Sequence, residues 1–247
     1  EFYANSLLNA DIHDNDVWQN YQPYSTGSGS THGASTIYLL AGPTGTVNAA
    51  IERNNIIQNF RGGIWAGYQH GLTPSYNLNL LVANNTILGN DGGEWYHASN
   101  ILNVKIVDNK LGSSNISGWS WAPGERFRIG YAADESGNPG LLAAPVTNNI
   151  EVARNDFLYH DFDKTVYIGG LFKVGGKDSI DMSFVDNDFK AIREDDNTND
   201  IGGMIRAGWV PTGEDTSIVC EEISMDISRN KFLFENRYTT ATDQAIN

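Results

Sequence analysis

The sequence predicts an all-β solenoid in which short strands stack coil upon coil around one core. A six-residue pattern, apolar-x-x-Asn-x-apolar, places its asparagine at positions 15, 54, 85, 109, 155, 187 and 230. One copy would be chance, whereas seven copies in 247 residues indicate a structural repeat. Abundant glycine and asparagine with only 7 prolines are typical of a chain with many turns and few long helices.

The repeated asparagine marks a corner between two strands. Asparagine tolerates the left-handed backbone conformation that a sharp corner requires, and stacked asparagine side chains can hydrogen-bond from coil to coil. The intervals between consecutive asparagines are 39, 31, 24, 46, 32 and 43 residues. Such uneven spacing predicts about seven coils with loops of variable length.

A further strand is predicted after each corner, at residues 37–42, 64–67, 95–98, 127–130, 166–169 and 205–208. Ile64 and Trp95 each follow their corner asparagine by ten residues, which sets the predicted register. Alternation along a strand then directs one column toward the core, namely Ile64, Trp95, Phe127, Val166 and Ile205. The next column is expected to point outward and consists of Leu40, Trp65, Tyr96, Arg128, Tyr167 and Arg206.

This outward column favours a glycan-binding groove. Aromatic faces stack on sugar rings, and arginine side chains bind carboxylate or sulfate groups. Two positions further on, a column of small residues would let a ligand approach the backbone: Gly42, Gly67, Ala98, Gly130, Gly169 and Gly208. The alternative is that aromatic residues simply suit strands and that the glycines end them.

The repeated corner and the uneven loops resemble the right-handed parallel β-helix, or pectate-lyase-like, superfamily over residues 7–234. The resemblance implies one β-helical domain spanning residues 1–247. It also implies a polysaccharide partner and allows a homotrimer, because the superfamily contains lyases, glycoside hydrolases, epimerases, adhesins and trimeric phage tailspikes. We expect an extracellular, cell-surface or virion location. The abrupt start in repeat-like sequence suggests a fragment or processed part of a longer chain.

Three carboxylates near the expected groove are candidate catalytic groups: Glu94, Glu125 and Asp134. Glycosidases use two carboxyl groups about 5 Å apart for retention or about 6.5–9.5 Å apart for inversion. His70, on a loop after Gly67, is a candidate substrate-binding residue, whereas His97 is expected in the core. We therefore predict a polysaccharide-degrading enzyme acting by hydrolysis or elimination. The alternative is a non-catalytic carbohydrate-binding β-helix, an adhesin or a tailspike shaft.

The net charge of −14 argues against non-specific nucleic-acid binding, which depends on Lys and Arg. The sequence contains no window of 18 apolar residues, so we expect no membrane insertion. No metal-ligand spacing of His or Cys is present, and we expect no metal site of that kind. Aspartate-rich stretches at 11–16, 161–163 and 194–200 offer oxygen ligands that could hold Ca²⁺, although an exposed turn is the usual explanation of such stretches.

Overall fold

The computed structural model describes residues 2–18, 36–57, 63–67, 75–89, 94–112, 127–130, 146–160, 172–193, 205–208 and 220–236. Within these residues, 21 β-strands form three parallel sheets of seven strands each. Each coil contributes one strand to each sheet in turn, so the fold is the predicted right-handed parallel β-helix. The described residues include no helix that is long and apolar enough to cross a bilayer.

The three sheets are named here in the order in which the chain enters them. Sheet A contains β1 Phe2–Ala4, β4 Ile37–Ala41, β7 Ile64–Ala66, β10 Glu94–Tyr96, β13 Phe127–Ile129, β16 Phe172–Val174 and β19 Ile205–Ala207. Sheet B contains β2 Leu7–His13, β5 Thr46–Glu52, β8 Asn77–Ala83, β11 Ile101–Val107, β14 Thr147–Ala153, β17 Ser179–Val185 and β20 Glu222–Ser228. Sheet C contains β3 Asp16–Trp18, β6 Asn55–Ile57, β9 Thr86–Leu88, β12 Lys110–Gly112, β15 Asp156–His160, β18 Asp188–Arg193 and β21 Lys231–Asn236.

Sheet B is the most regular of the three sheets. All seven of its strands are seven residues long and pair without a register shift. In its five central strands, the second, fourth and sixth residues are buried, whereas the first, third and fifth are partly or fully exposed. The resulting core columns are apolar for most of their length, as Ile51, Val82, Ile106 and Val152 illustrate.

A corner of two residues joins each sheet B strand to the following sheet C strand. The first of these two residues has a φ of 55–59° in every coil, at Asp14, Arg53, Asn84, Asp108, Arg154, Asp186 and Arg229. The expectation that the repeat asparagine itself is left-handed is therefore wrong. The residue before it takes this conformation, because the asparagine must direct its side chain into the coil stack.

The repeat asparagines form the predicted ladder. The backbone N–H of each asparagine donates to Oδ1 of the asparagine one coil further on, at 2.9–3.0 Å. The side-chain Nδ2 donates to the same oxygen at 2.9–3.1 Å. Nδ2 of Asn109 also donates to the carbonyl of Val82 at 2.9 Å, in the preceding coil. Five amides of the ladder are buried, so their hydrogen bonds are obligatory.

Three bidentate ion pairs lie on the surface beside this ladder, between the positive-φ residues that precede the ladder asparagines. Arg53 binds Asp14, and two further pairs join Arg154 to Asp108 and Arg229 to Asp186, with N–O distances of 2.7–3.0 Å. The hydrogen bond from Arg53 lowers the pKa of Asp14 to about 2. The arginine partners likewise lower the pKa of the other two aspartates. These side chains are exposed, so each pair adds little stability.

The core becomes aromatic toward the C-terminal half of the stack. Phe127 and Phe172 stack with ring centroids 4.5 Å apart and an interplanar angle of 10°. Phe157 meets both rings edge-on and lies 6.2 Å from Phe184. This cluster joins all three sheets, because its members come from β13, β16, β15 and β17.

Removing one rung of the buried ladder should be costly. In Asn109→Ala, the backbone N–H and Nδ2 of Asn85 lose their common acceptor, and buried donors without partners each cost about 1–3 kcal/mol. We expect the free energy of unfolding to fall by about 2–5 kcal/mol in chemical denaturation. Asn103→Ala, at the outer surface of the preceding strand, is the control and should cost less than about 1 kcal/mol. Equal losses in the two variants would contradict the structural role of the ladder.

Reversing a charge at the corner should destabilise in a salt-dependent way. In Asp186→Arg, the bidentate bond to Arg229 is replaced by repulsion from Arg229 and from the nearby Arg154. We expect a lower melting temperature, with a larger decrease at low ionic strength because salt screens exposed charges. The double variant Asp186→Arg/Arg229→Asp should recover part of the loss. A salt-independent decrease would count against the ion-pair register.

Candidate functional site

Six strands of sheet A, from β4 to β19, carry an aromatic or a basic residue at one shared register position. Parallel pairing aligns Tyr38 with Trp65 and then Trp65 with Trp95, Trp95 with Arg128, Arg128 with Lys173, and Lys173 with Arg206. We call this row, from Tyr38 to Arg206, the sheet A column. Three consecutive basic residues occupy its C-terminal half.

Burial of the neighbouring residues defines which way the column faces. Phe127 and Ile129 are buried in the core, whereas Arg128 between them is partly exposed. Ile64 and Ala66 likewise belong to the core cluster, and Trp65 between them does not. Trp65 is nevertheless only 6% exposed, so it does not offer a full ring face to a ligand. The side chain of Arg128 is therefore more accessible to a ligand than that of Trp65.

Tyr96 does not lie in this column, contrary to the sequence prediction. It is 1% exposed, pairs in register with Ala66 and Ile129, and belongs to the core cluster. Trp95, which was assigned to the core, takes the column position instead. Since β10 begins nine residues after its corner asparagine rather than ten, the predicted register is displaced by one residue. A displacement of one residue exchanges the two faces of a strand.

The strand predicted at residues 166–169 is replaced in sheet A by β16, Phe172–Val174. Tyr167 lies outside the described residues, and Lys173 takes the register position that was predicted for it. Arg206 holds its predicted position in the column, in register with Lys173. Phe172 and Val174 are buried on either side of Lys173.

The small-residue column serves coil packing in the described part of the chain. Gly67, Gly130 and Gly208 have φ values of 63–72°, and each ends a sheet A strand. A Cβ atom on Gly67 would collide with the carbonyl oxygen of His97 in the next coil. The structure thus favours the simpler interpretation, in which the glycines make the turn and admit the neighbouring backbone.

Of the three candidate catalytic carboxylates, only Glu94 lies within the described residues. It occupies the first position of β10, in register with the buried Phe127. Glu125, Asp134 and the candidate substrate-binding residue His70 lie outside the described residues. Their roles in catalysis and binding remain predictions.

His97 is a core residue, as expected, although it stands one position away from the predicted column. It follows β10, and its backbone N–H donates to the carbonyl of Ala66 at 2.9 Å. Its side chain is buried, and burial lowers its pKa to about 4. A neutral, enclosed imidazole does not act on a ligand bound at the surface.

A second surface feature, on the outer face of sheet B, was missed in the sequence. A groove of about 560 Å³ extends along the first four coils, and a smaller one of about 300 Å³ continues it beside β14 and β17. A row of exposed or partly exposed amides lines the two grooves: Asn9, Asn48, Asn79, Asn103 and Asn149. Each of these precedes its corner asparagine by six residues, so a repeated Asn-x5-Asn spacing was the available signal.

Among the described residues, no group of three His, Cys, Asp or Glu side chains is arranged to hold a metal ion. Of the three aspartate-rich stretches, only residues 11–16 are described. There, Asp14 is bound by Arg53 and His13, and Asp16 accepts a hydrogen bond from Asn55. Both carboxylates thus have protein partners. The Ca²⁺ site suggested by the other two stretches remains a prediction.

Comparison of the chain with protein-family models, with curated proteins and with solved structures returned no match.

Burial of His97 predicts a stability loss in mild acid. The unfolded chain protonates this histidine near pH 6.5, whereas the folded chain resists protonation down to about pH 4. The stabilisation is complete above pH 6.5 and decreases by roughly 3 kcal/mol as the pH falls toward 4. We expect His97→Gln to lack this pH-dependent stabilisation when its unfolding free energy and that of the unmodified chain are measured between pH 4 and pH 6.5. His13→Gln, at an exposed site, is the control and should retain it; an unchanged pH profile for His97→Gln would refute the assignment.

Proposed function

We propose that this chain binds an acidic polysaccharide along the sheet A column, as carbohydrate-active β-helices of the pectate-lyase-like kind do. The observation that carries the proposal is the consecutive register of Arg128, Lys173 and Arg206. The whole chain has 16 basic residues against 30 acidic ones, so three adjacent cations are a marked local reversal of charge. Such a reversal attracts anionic ligands to one part of an acidic protein.

The spacing of the column fits a polymeric ligand. Neighbouring strands lie roughly 4.8 Å apart, so the five residues from Trp65 to Arg206 extend over about 19 Å. This length accommodates a short stretch of an extended glycan with an acidic group on successive sugar units. Guanidinium and ammonium groups bind carboxylate and sulfate through charge-assisted hydrogen bonds. Because Trp65 is nearly enclosed, the proposal assigns the main contacts to the basic half of the column.

Cleavage of the bound glycan, by hydrolysis or elimination, is a second proposal that rests on sequence position. Glu125 and Asp134 flank β13, the strand of Arg128, in the sequence, whereas Glu94 stands in register with the buried Phe127 and is the less favourable candidate. Carboxylates near a bound sugar can act as acid, base or nucleophile. Without cleavage, the same column would serve a carbohydrate-binding module, an adhesin or a tailspike shaft. In each case the glycan partner implies an extracellular, cell-surface or virion location.

Arg128→Ala tests the binding proposal. Removal of one charge-assisted contact should weaken binding to an oligogalacturonate about 5- to 20-fold in calorimetry, and should leave neutral oligosaccharides unaffected. Arg128→Lys should retain most of the affinity because it keeps the charge. Lys105→Ala, which removes a cation from sheet B, is the matched control and should change nothing. Oligogalacturonate binding by Arg128→Ala equal to that of the unmodified chain would remove the basis of the proposal.

Incubation of the chain with acidic polysaccharides, followed by analysis of the products, distinguishes cleavage from binding alone. New reducing ends without an unsaturated product indicate hydrolysis, and new reducing ends with one indicate elimination. Glu125→Gln and Asp134→Asn should then abolish product formation while binding persists. Binding of a panel of polyuronates and capsular polysaccharides without any product would reject the enzymatic proposal and leave the binding proposal intact.

A further inference from the structure

The outer face of sheet B carries an exposed amide ladder in perfect register. Nδ2 of each asparagine donates to Oδ1 of the asparagine one coil earlier, at 2.7–2.9 Å for the four steps from Asn9 to Asn149. A primary amide has two N–H donors and two acceptor sites. At Asn79 the ladder uses one N–H donor and one acceptor site of the amide. The side chain is exposed and lines the groove, so its second N–H and its second acceptor site face a ligand bound there.

This arrangement presents a donor and an acceptor side by side once per coil, at intervals of roughly 4.8 Å. Sugar hydroxyls both donate and accept, so an extended chain of sugars along the helix axis could engage one amide with each unit. Ala50 and Leu81, which also line the groove, provide apolar surface beside the amides for the C–H faces of the rings. Amides with flanking apolar surface are the usual composition of a neutral or weakly charged glycan site.

The charge of this face selects among glycans. The residues at the exposed positions of the sheet B strands include six acidic ones, Asp11, Glu52, Glu151, Asp181, Glu222 and Asp226. The one basic residue among these positions, Lys105, is paired with Glu151 at 2.9 Å. The face is therefore negative, opposite to the basic half of the sheet A column. It repels polyuronates and complements a polymer that carries positive charge.

The residue at the end of the amide row is a candidate binding site for the positive charge of the ligand. The position after Asn149 in register is Asp181, and a carboxylate has no N–H to continue the ladder. Asp181 and Glu151 both line the smaller groove, together with Ser183. Since Glu151 is paired with Lys105, Asp181 is the carboxylate at the end of the row that can act as the counter-charge for an ammonium group.

We propose that the outer face of sheet B binds a linear amino-sugar polysaccharide, with hydroxyls on the Asn9–Asn149 row and an ammonium group at Asp181. This site lies on a different sheet from the column that carries the proposed function and does not depend on it.

Oligomers of β-linked glucosamine, their fully N-acetylated counterparts and oligogalacturonate are the probes. We expect the glucosamine oligomer to bind most tightly, with an affinity that decreases as salt is added. Asn79→Ala should weaken its binding roughly fivefold, as expected for one hydrogen-bonding side chain. Asp181→Asn should weaken it by a similar factor while leaving the melting temperature unchanged or higher, because the new amide can donate to Asn149.

Matched variants on sheet C decide whether the binding is specific. Asn55→Ala removes an exposed asparagine and Asp156→Asn an exposed acid, both outside the grooves, and neither should change the affinity. If Asp156→Asn weakens binding as much as Asp181→Asn, the attraction is general to an acidic protein and the site is rejected. Equal affinity for the N-acetylated oligomer, or tighter binding of oligogalacturonate to this face, also rejects it. Arg128→Ala should leave glucosamine binding unchanged, so failure of the sheet A proposal would be seen separately.

Discussion

The buried asparagine ladder is the interaction on which the rest of this structure depends. Each ladder oxygen accepts two hydrogen bonds from the coil before it, so no asparagine is satisfied unless its coil stacks in one register. Sheet B strands of constant length precede the ladder, and sheet C strands follow it directly. Both sheets therefore inherit their alignment from the same corner. The connections at the two other corners vary in length from two residues between β1 and β2 to 18 between β3 and β4, so the ladder does not constrain their length.

The ladder also explains why the chain tolerates a strained residue in every coil. A non-glycine residue in the left-handed region costs roughly 1–2 kcal/mol, and seven such residues occur. Glycine would relieve this strain but would remove the side chains that form the outer ion pairs. Asp and Arg at this position join neighbouring coils through bidentate hydrogen bonds, parallel to the ladder and about one residue outside it. The corner is thus held by a buried and an exposed set of contacts, of which the buried set contributes most of the stability.

This constraint determines how much could be read from the sequence. The corner and the strands of sheets B and C beside it follow from fixed spacing, and the amide row on sheet B could have been found by the same counting. Sheet A lies after a loop of variable length, so counting from the asparagine fixes its phase only when the loop length is known. Counting from the corner asparagine gave the correct register at Ile64. At β10 the predicted register was wrong by one residue, so Tyr96, which lies in the core, was predicted at the surface. At β16 two apolar segments, 166–169 and 172–174, fit a strand equally well, and only packing of Phe172 against Phe127 distinguishes them.

Because the ladder and the core fix the coils, the outward side chains of each sheet are free to differ. A substitution at Arg128 or Asn79 changes no buried contact of the ladder, and its effect stays on one face. The chain can therefore carry a basic column on sheet A and, on sheet B, a row of amides on an acidic face. The net charge of −14 is a sum over faces of opposite sign, and it predicts the behaviour of neither. In a solenoid, the charge that a ligand meets is set by the column along which it lies, since charges farther away than about 10 Å are largely screened.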